Sequence, residues 1–216
     1  MIQYLQNNQA VVLQALLQHV ILALVPLAIG VLAALPLGYL AVRFNRLYQP
    51  VSNLTGIVYA IPSLALFVVL PGIIGTKILD PINIVVALAI YTAALMVRVV
   101  ADGLRSVDPT VTQAATAMGY RRLKRLFSVE LPMSLPVTLA GLRVATVSNI
   151  SIVSVGALIG VGGLGGLFTR GLQLHYLEPV IVGIVLSIAL AAVCDLAIVA
   201  LQRQLTPWTR LGGKTR

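Results

Sequence analysis

Five stretches of this chain, at residues 20–42, 51–74, 82–100, 135–159 and 179–201, are long and apolar enough to cross a lipid bilayer. Roughly 30 Å of hydrocarbon takes about 20 residues of helix at about 1.5 Å each, and lipid offers no partner for an open backbone. The expected fold class is therefore an all-α integral membrane protein with five transmembrane helices. Charge agrees, since only 10% of the 216 residues are charged, against about a quarter in soluble domains. Soluble globular and disordered chains are both excluded.

The net charge of +9 raises nucleic acid as a partner, but the basic residues are sorted by loop and form no aromatic-interleaved face. Of the fifteen Lys and Arg, only Lys77 and Arg170 fall on one side of the alternating spans. Arg98 and Arg143 lie within spans or at their ends, and the remaining eleven fall on the other side. The positive-inside rule makes the basic side cytoplasmic, with the N-terminus outside and the C-terminus inside. Residues 1–19, rich in Gln and Asn, read as an extracytoplasmic, half-buried or interfacial segment. Residues 20–201 form the membrane domain and 202–216 a basic cytoplasmic tail anchored by Trp208. No positive segment precedes the first span, so no cleaved signal peptide is expected.

Proline and glycine recur within the spans, at Pro26, Gly30, Pro36, Gly38, Pro62, Pro71, Pro136, Gly141 and Gly156. They mark either close helix packing through small residues or breaks that line a cavity. Ser148, Asn149, Ser151 and Ser154 should face the bundle or a pathway rather than lipid. Arg143 and Asp195 are expected to snorkel, and Cys194 to fill space. His19 and His175 stand far apart, so no metal site is expected.

Residues 106–136 are too polar to cross and too long for an idle turn. Asp108-Pro109 reads as an N-cap and first helical position, Thr110 to Met118 as a short Ala-rich helix, and Gly119 as its left-handed stop. A second helical piece carries Arg121, Arg122, Lys124 and Arg125 toward Pro132 and Pro136. With Gln113-Ala114-Ala115, then Gly119, then Glu130-Leu131-Pro132, this segment resembles the EAA loop of ATP-binding cassette (ABC) importer permeases. Gln113 stands where the usual pattern has Glu. The segments Ile61-Pro62-Ser63-Leu64-Ala65-Leu66 and Ala157 to Gly165 are similar to those of permeases for glycine betaine, choline, carnitine and related osmoprotectants.

The resemblance implies a coupling helix, within a loop over 106–134, that seats in a groove of a separate ATPase. Gln113, Ala114, Ala115, Ala117, Met118, Gly119 and Arg121 are the residues it assigns to that contact. Its small alanines leave a low surface for close approach; the plainer alternative is a surface helix whose basic neighbours pair with lipid headgroups. The implied partners are a cytoplasmic ABC ATPase dimer that holds the ATP and Mg, a second permease copy or paralogue, an extracytoplasmic substrate-binding protein, and membrane lipids. The implied location is the plasma (inner) membrane of a bacterium or archaeon. Tyr59, Ser63, Tyr91, Ser148 and Asn149 are the expected pathway liners, with ordinary packing equally open for the two tyrosines. A methionine or other amino-acid permease is the rival within transport, and a passive channel or structural subunit the rival outside it.

Two motifs mislead. Gly160-Val-Gly162-Gly-Leu-Gly165 satisfies G-x-G-x-x-G, yet a dinucleotide site needs a preceding strand, a following helix and a well-spaced acid. None is expected here, and the segment reads as a re-entrant or surface turn. Gly212-Gly213-Lys214-Thr215 mimics the end of a phosphate loop, but Trp208 occupies the position of its first glycine. The six acidic residues are scattered without a close pair, so the chain is expected to be a transporter subunit and not an enzyme.

Overall fold

A computed structural model describes residues 2–210, and every regular element among them is helical. The order is α1 (Ile2–Asn7), α2 (Gln9–Arg43), α3 (Asn45–Ala60), α4 (Ser63–Ile74), α5 (Pro81–Arg105), α6 (Pro109–Ala117) and α7 (Arg122–Arg125). A π turn (Leu126–Glu130) leads into α8 (Leu131–Gly156), followed by α9 (Gly165–Gln173) and α10 (Leu177–Leu205). Four helical runs are long and apolar enough to cross a membrane: α2, α5, α10 and the run from Arg122 to Ile159. A fifth crossing is reached only by counting α3 and α4 as one bent span.

The single span expected over 51–74, with Pro62 inside it, is a bent pair of helices. The two helices meet at 98°, because Ile61 and Pro62 are both extended, with ψ of 131° and 128°. A residue before proline is pushed out of the helical region, and proline can donate no hydrogen bond to continue the ladder. The carbonyl freed at Ile61 accepts a hydrogen bond from the Tyr91 hydroxyl at 2.6 Å.

Helix α2 runs unbroken through residue 19. Its 35 residues reach roughly 52 Å, well beyond the hydrocarbon thickness. Its buried stripe is Ala23, Pro26, Gly30, Ala34, Gly38 and Ala41, small residues three or four apart on one face. A Cβ at Gly30 would lie 2.5 Å from the Thr92 Cβ and 2.8 Å from the Ala89 carbonyl oxygen, and one at Gly38 2.8 Å from Val100. Small residues here serve close packing, and they let α2 lie directly on α5.

Helix α5 is the centre of the bundle. Ile84, Ala87 and Leu88 are fully buried, packed with Phe67 of α4 and Val153 of α8, and Met96, also fully buried, packs with Ala34 of α2 and Ala145 of α8. It starts where Asp80 caps the Ile82 amide at 3.0 Å ahead of Pro81, as in a helix start with proline at its first position. Near its other end Asp102 accepts from the Tyr48 hydroxyl at 2.5 Å, and Arg105 stacks on the Tyr48 ring at 3.9 Å, tying α3 to α5.

Arg143 and Asp195 do not snorkel independently to the surface. They form a two-pronged ion pair, with Nε to Oδ1 at 2.6 Å and Nη2 to Oδ2 at 2.8 Å. Arg143 sits midway along α8 and Asp195 well inside α10, where a lone charge would be expensive. Each neutralises the other and clamps the two helices.

At one end of the bundle Tyr39 and Val42 of α2, Val100 and Leu104 of α5, and Leu126 and Leu131 pack together. Helix α6, α7 and the π turn lie at that end, which we call the basic end. At the opposite end Tyr4 and Val12 pack on Leu164, Leu167 and Val182.

Candidate functional site

The loop at the basic end is built by local chemistry. The Asp108 carboxylate accepts from the Thr110 amide and hydroxyl, both at 2.7 Å, and Pro109 opens α6. Gly119 adopts φ +82°, while the Gly119 amide donates to the Thr116 carbonyl (2.9 Å) and the Tyr120 amide to that of Ala115 (3.1 Å). These paired bonds are a Schellman stop, which needs a residue tolerant of the left-handed region. A nine-residue helix fixed at both ends is a rigid element.

Of the residues expected to contact an ATPase, Gln113, Ala114, Ala117, Met118, Gly119 and Arg121 are exposed. Gln113 and Ala117, and Ala114 and Met118, stand four apart, so the four make one stripe of α6 and its C-cap. Met118 is 70% exposed among the described residues. Ala115 is different: it is 1% exposed, on a helix that packs against α7 and the π turn. Its smallness serves internal packing.

The two Asp108 hydrogen bonds hold that carboxyl below the usual range. A depressed folded value means the cap contributes fully above the ordinary aspartate range and is lost only as the pH falls through the lower value. Amide hydrogen exchange at Thr110 and Val111 is therefore expected to stay slow, relative to an Asp108→Ala variant, from neutral pH down past pH 5. Equal exchange in the two proteins would contradict the cap.

Beyond α6 the chain turns into α7 and the π turn. The Leu131 amide donates to the Leu126 carbonyl, five residues back. Pro132 explains the widening, since in a regular α-helix its ring would press on the Ser128 carbonyl. Across this turn the Arg125 Nε donates to Glu130 Oε1 at 2.6 Å, and its Nη1 donates to the Thr116 hydroxyl of α6 at 2.8 Å.

The expected pathway residues separate into two environments. Tyr59 is 39% exposed, with its hydroxyl 3.5 Å from that of Ser148. Its ring meets that of Tyr91 edge-on at 5.9 Å. Ser63 and Ser148 are half-buried beside the break. Tyr91 itself is buried and capped onto Ile61. Asn149 is 2% exposed, and its amide donates to the Ala23 carbonyl (3.2 Å) and to Thr92 Oγ1 (3.0 Å), pinning α2, α5 and α8 together. Ser151 and Ser154 turn the other way, into a groove of about 300 Å³ between α8 and α10.

At the opposite end, a helix does follow the glycine segment, contrary to expectation, at Gly165–Gln173, but a 3₁₀ turn (Ala157–Ile159) precedes it where a dinucleotide site has a strand. Gly160 and Gly163 have φ of +84° and +81°. Gln18 Oε1 accepts from the Gly163 amide and His19 Nδ1 from the Leu164 amide, each at 3.1 Å. His19 is fully buried, and its other nitrogen, Nε2, donates to the Ile150 carbonyl at 3.0 Å. The segment is thus docked onto α2 and α8. The glycines at 212 and 213 lie outside the described residues.

Comparisons with known proteins agree with this architecture. The chain is 30% identical over 206 residues to the choline transport system permease protein OpuBB of Bacillus subtilis, covering 95% of this chain and 94% of that one. It is 34% identical over 209 residues to the osmoprotectant import permease protein OsmW of Salmonella typhimurium, covering 95% and 97%. Among solved structures, an inward-facing form of the MetNI methionine ABC transporter superposes with a TM-score of 0.82 over 90% of this chain and 96% of that one, at 22% identity. In this family the membrane subunit lacks an ATPase site, which belongs to a separate subunit. Residues 13–207 match the family model for the binding-protein-dependent transport system inner membrane component, so the chain belongs to that family and is a membrane permease subunit of an ABC importer.

Proposed function

We propose that this permease carries a small quaternary ammonium or zwitterionic solute of the betaine, choline or carnitine class inward, as one half of a two-permease pathway. The supporting observation is the similarity, along nearly the whole chain, to choline and osmoprotectant permeases. The N-terminus is outside and the basic end cytoplasmic, so that α6 meets an ATPase dimer there while a separate binding protein delivers solute at the opposite end. The exposed stripe of Gln113, Ala114, Ala117 and Met118 is the ATPase contact. Nothing among the described residues covers it, and the caps at Asp108 and Gly119 make it stiff enough to transmit force.

The pathway runs beside the broken α3–α4 pair. Tyr59 presents an aromatic ring there next to the Ser148 hydroxyl, and aromatic faces attract quaternary ammonium groups without the strong hydration that ammonium groups demand. Tyr91 and Asn149 hold this wall in place and do not touch solute. The resemblance in fold to a methionine transporter, at 22% identity, carries no weight for the solute.

Reconstitution in vesicles with its ATPase and binding protein, followed by uptake of labelled glycine betaine, choline, carnitine, proline and methionine, tests the reading. ATP-dependent accumulation of at least one of the first three is expected, with none of methionine. Methionine uptake alone would assign the chain to the amino-acid class. Equilibration without ATP would make it a passive channel.

A further inference from the structure

The contact between α6 and an ATPase leaves a mechanical question, because a nine-residue helix on a loop can move without moving the bundle. Among the described residues, one side chain bridges α6 to the start of the α8 span by hydrogen bonds at both ends. Arg125 donates to the Thr116 hydroxyl on α6 at 2.8 Å and to the Glu130 carboxylate at 2.6 Å. The Thr116 hydroxyl is itself anchored, donating to the Thr112 carbonyl at 2.8 Å. Both ends of the bridge therefore sit on hydrogen-bonded backbone.

The bridge depends on the π turn. In a regular α-helix residues three and four apart share a face, and a pair five apart does not. Between Arg125 and Glu130 the chain makes a bond from residue 131 to residue 126, and this i to i+5 geometry brings the two side chains together. Pro132, which enforces the widening, thus sets up the Arg125–Glu130 pair. Both members are largely shielded, with side chains 26% and 18% exposed, so the pair is less weakened by solvent than an open surface pair.

We propose that Arg125, held by Glu130 across the π turn, is the strut that carries movement of the coupling helix into α8. It is a positioning residue, acting through Thr116 on one side and through the α8 backbone on the other. The proposal rests on α6 being the ATPase contact. It assigns a purpose to Glu130 and Pro132: they shape the receiving end of the strut.

The test measures solute moved per ATP hydrolysed in the complete transporter in vesicles, with ATPase co-purification as the check on assembly. In Arg125→Gln, and more mildly in Thr116→Val, which leaves the ion pair intact, hydrolysis and co-purification are expected to persist. The transport ratio is expected to fall by roughly two- to thirtyfold, the range over which residues along a coupling network act. Exchanging the charges, with Arg125→Glu and Glu130→Arg together, is expected to restore the ion pair but not the ratio, because a carboxylate at position 125 has no proton to donate to the Thr116 hydroxyl. A merely structural pair would lower stability and not this ratio. An unchanged ratio in both single variants overturns the strut, as does a parallel loss of hydrolysis and binding. Failure of the unmutated complex to bind an ATPase or to transport would instead remove the reading of α6, before any variant is made.

Discussion

Replacing Gly30 with leucine is expected to leave almost no correctly assembled protein. The missing Cβ already points at the Ala89 carbonyl oxygen and the Thr92 Cβ. Neither is the far end of a flexible side chain that could swing aside. Overpacking a tight core typically costs 1–3 kcal/mol, and a clash with backbone puts this case at about 3 kcal/mol or more. The same substitution at Gly56, where nothing lies within 4 Å, removes the clash from the comparison. The yield of monodisperse protein and the thermal unfolding midpoint should fall sharply for Gly30→Leu and stay near wild type for Gly56→Leu. Similar behaviour of the two would mean that α2 and α5 do not pack through this stripe.

The second large effect separates neighbouring alanines. Tryptophan at Ala114 should leave the permease folded while weakening its hold on the ATPase by about thirtyfold, as expected of a central contact residue. Tryptophan at Ala115 should act on the permease itself, because that residue is 1% exposed and covered by its own chain. Unfolding midpoints and ATPase co-purification, measured side by side, distinguish them. Loss of stability at Ala114 with retained binding would contradict the assignment of that face.

Much of the architecture was legible in sequence because lipid leaves few choices. A run of about 20 apolar residues must be helical, and the loop over 106–134 carries its own capping signals at Asp108, Pro109 and Gly119. Lateral placement was less legible. Ala114 and Ala115 are chemically identical, and only the rotation of α6 decides which one faces out. Asn149 read as a pathway group, but its side-chain hydrogen bonds go to Ala23 and Thr92 on other helices. Nothing in spacing alone reveals such partners.

Other features missed from sequence share a cause: partners distant in the chain, or a helix that departs from α geometry. Arg143 and Asp195 lie 52 residues apart, and His19 lies 145 residues from Leu164. Arg125 and Glu130 stand at a spacing that a regular helix would not bring together. Pro132 was the available signal for the π turn, and Ile61-Pro62 that for the 98° bend. Each proline displaces a backbone bond, and the consequence depends on which groups take up the carbonyls nearby. At the bend the Ile61 amide donates to the Val58 carbonyl and the Tyr91 hydroxyl to that of Ile61.

The proposed coupling needs the exposed stripe of α6 to meet an ATPase at the basic end, with the glycine segment at the opposite face. Single cysteines at Met118 and at Gly166, each in a Cys194→Ala background, test both parts in one measurement with membrane-impermeant thiol reagents and a cross-linker. The cysteine replacing Met118 should react only from the cytoplasmic side and should cross-link to the ATPase subunit. The cysteine replacing Gly166 should react only from outside. Reaction of the Met118 variant from outside, or the absence of any cross-link from it in an assembled transporter, would contradict the account.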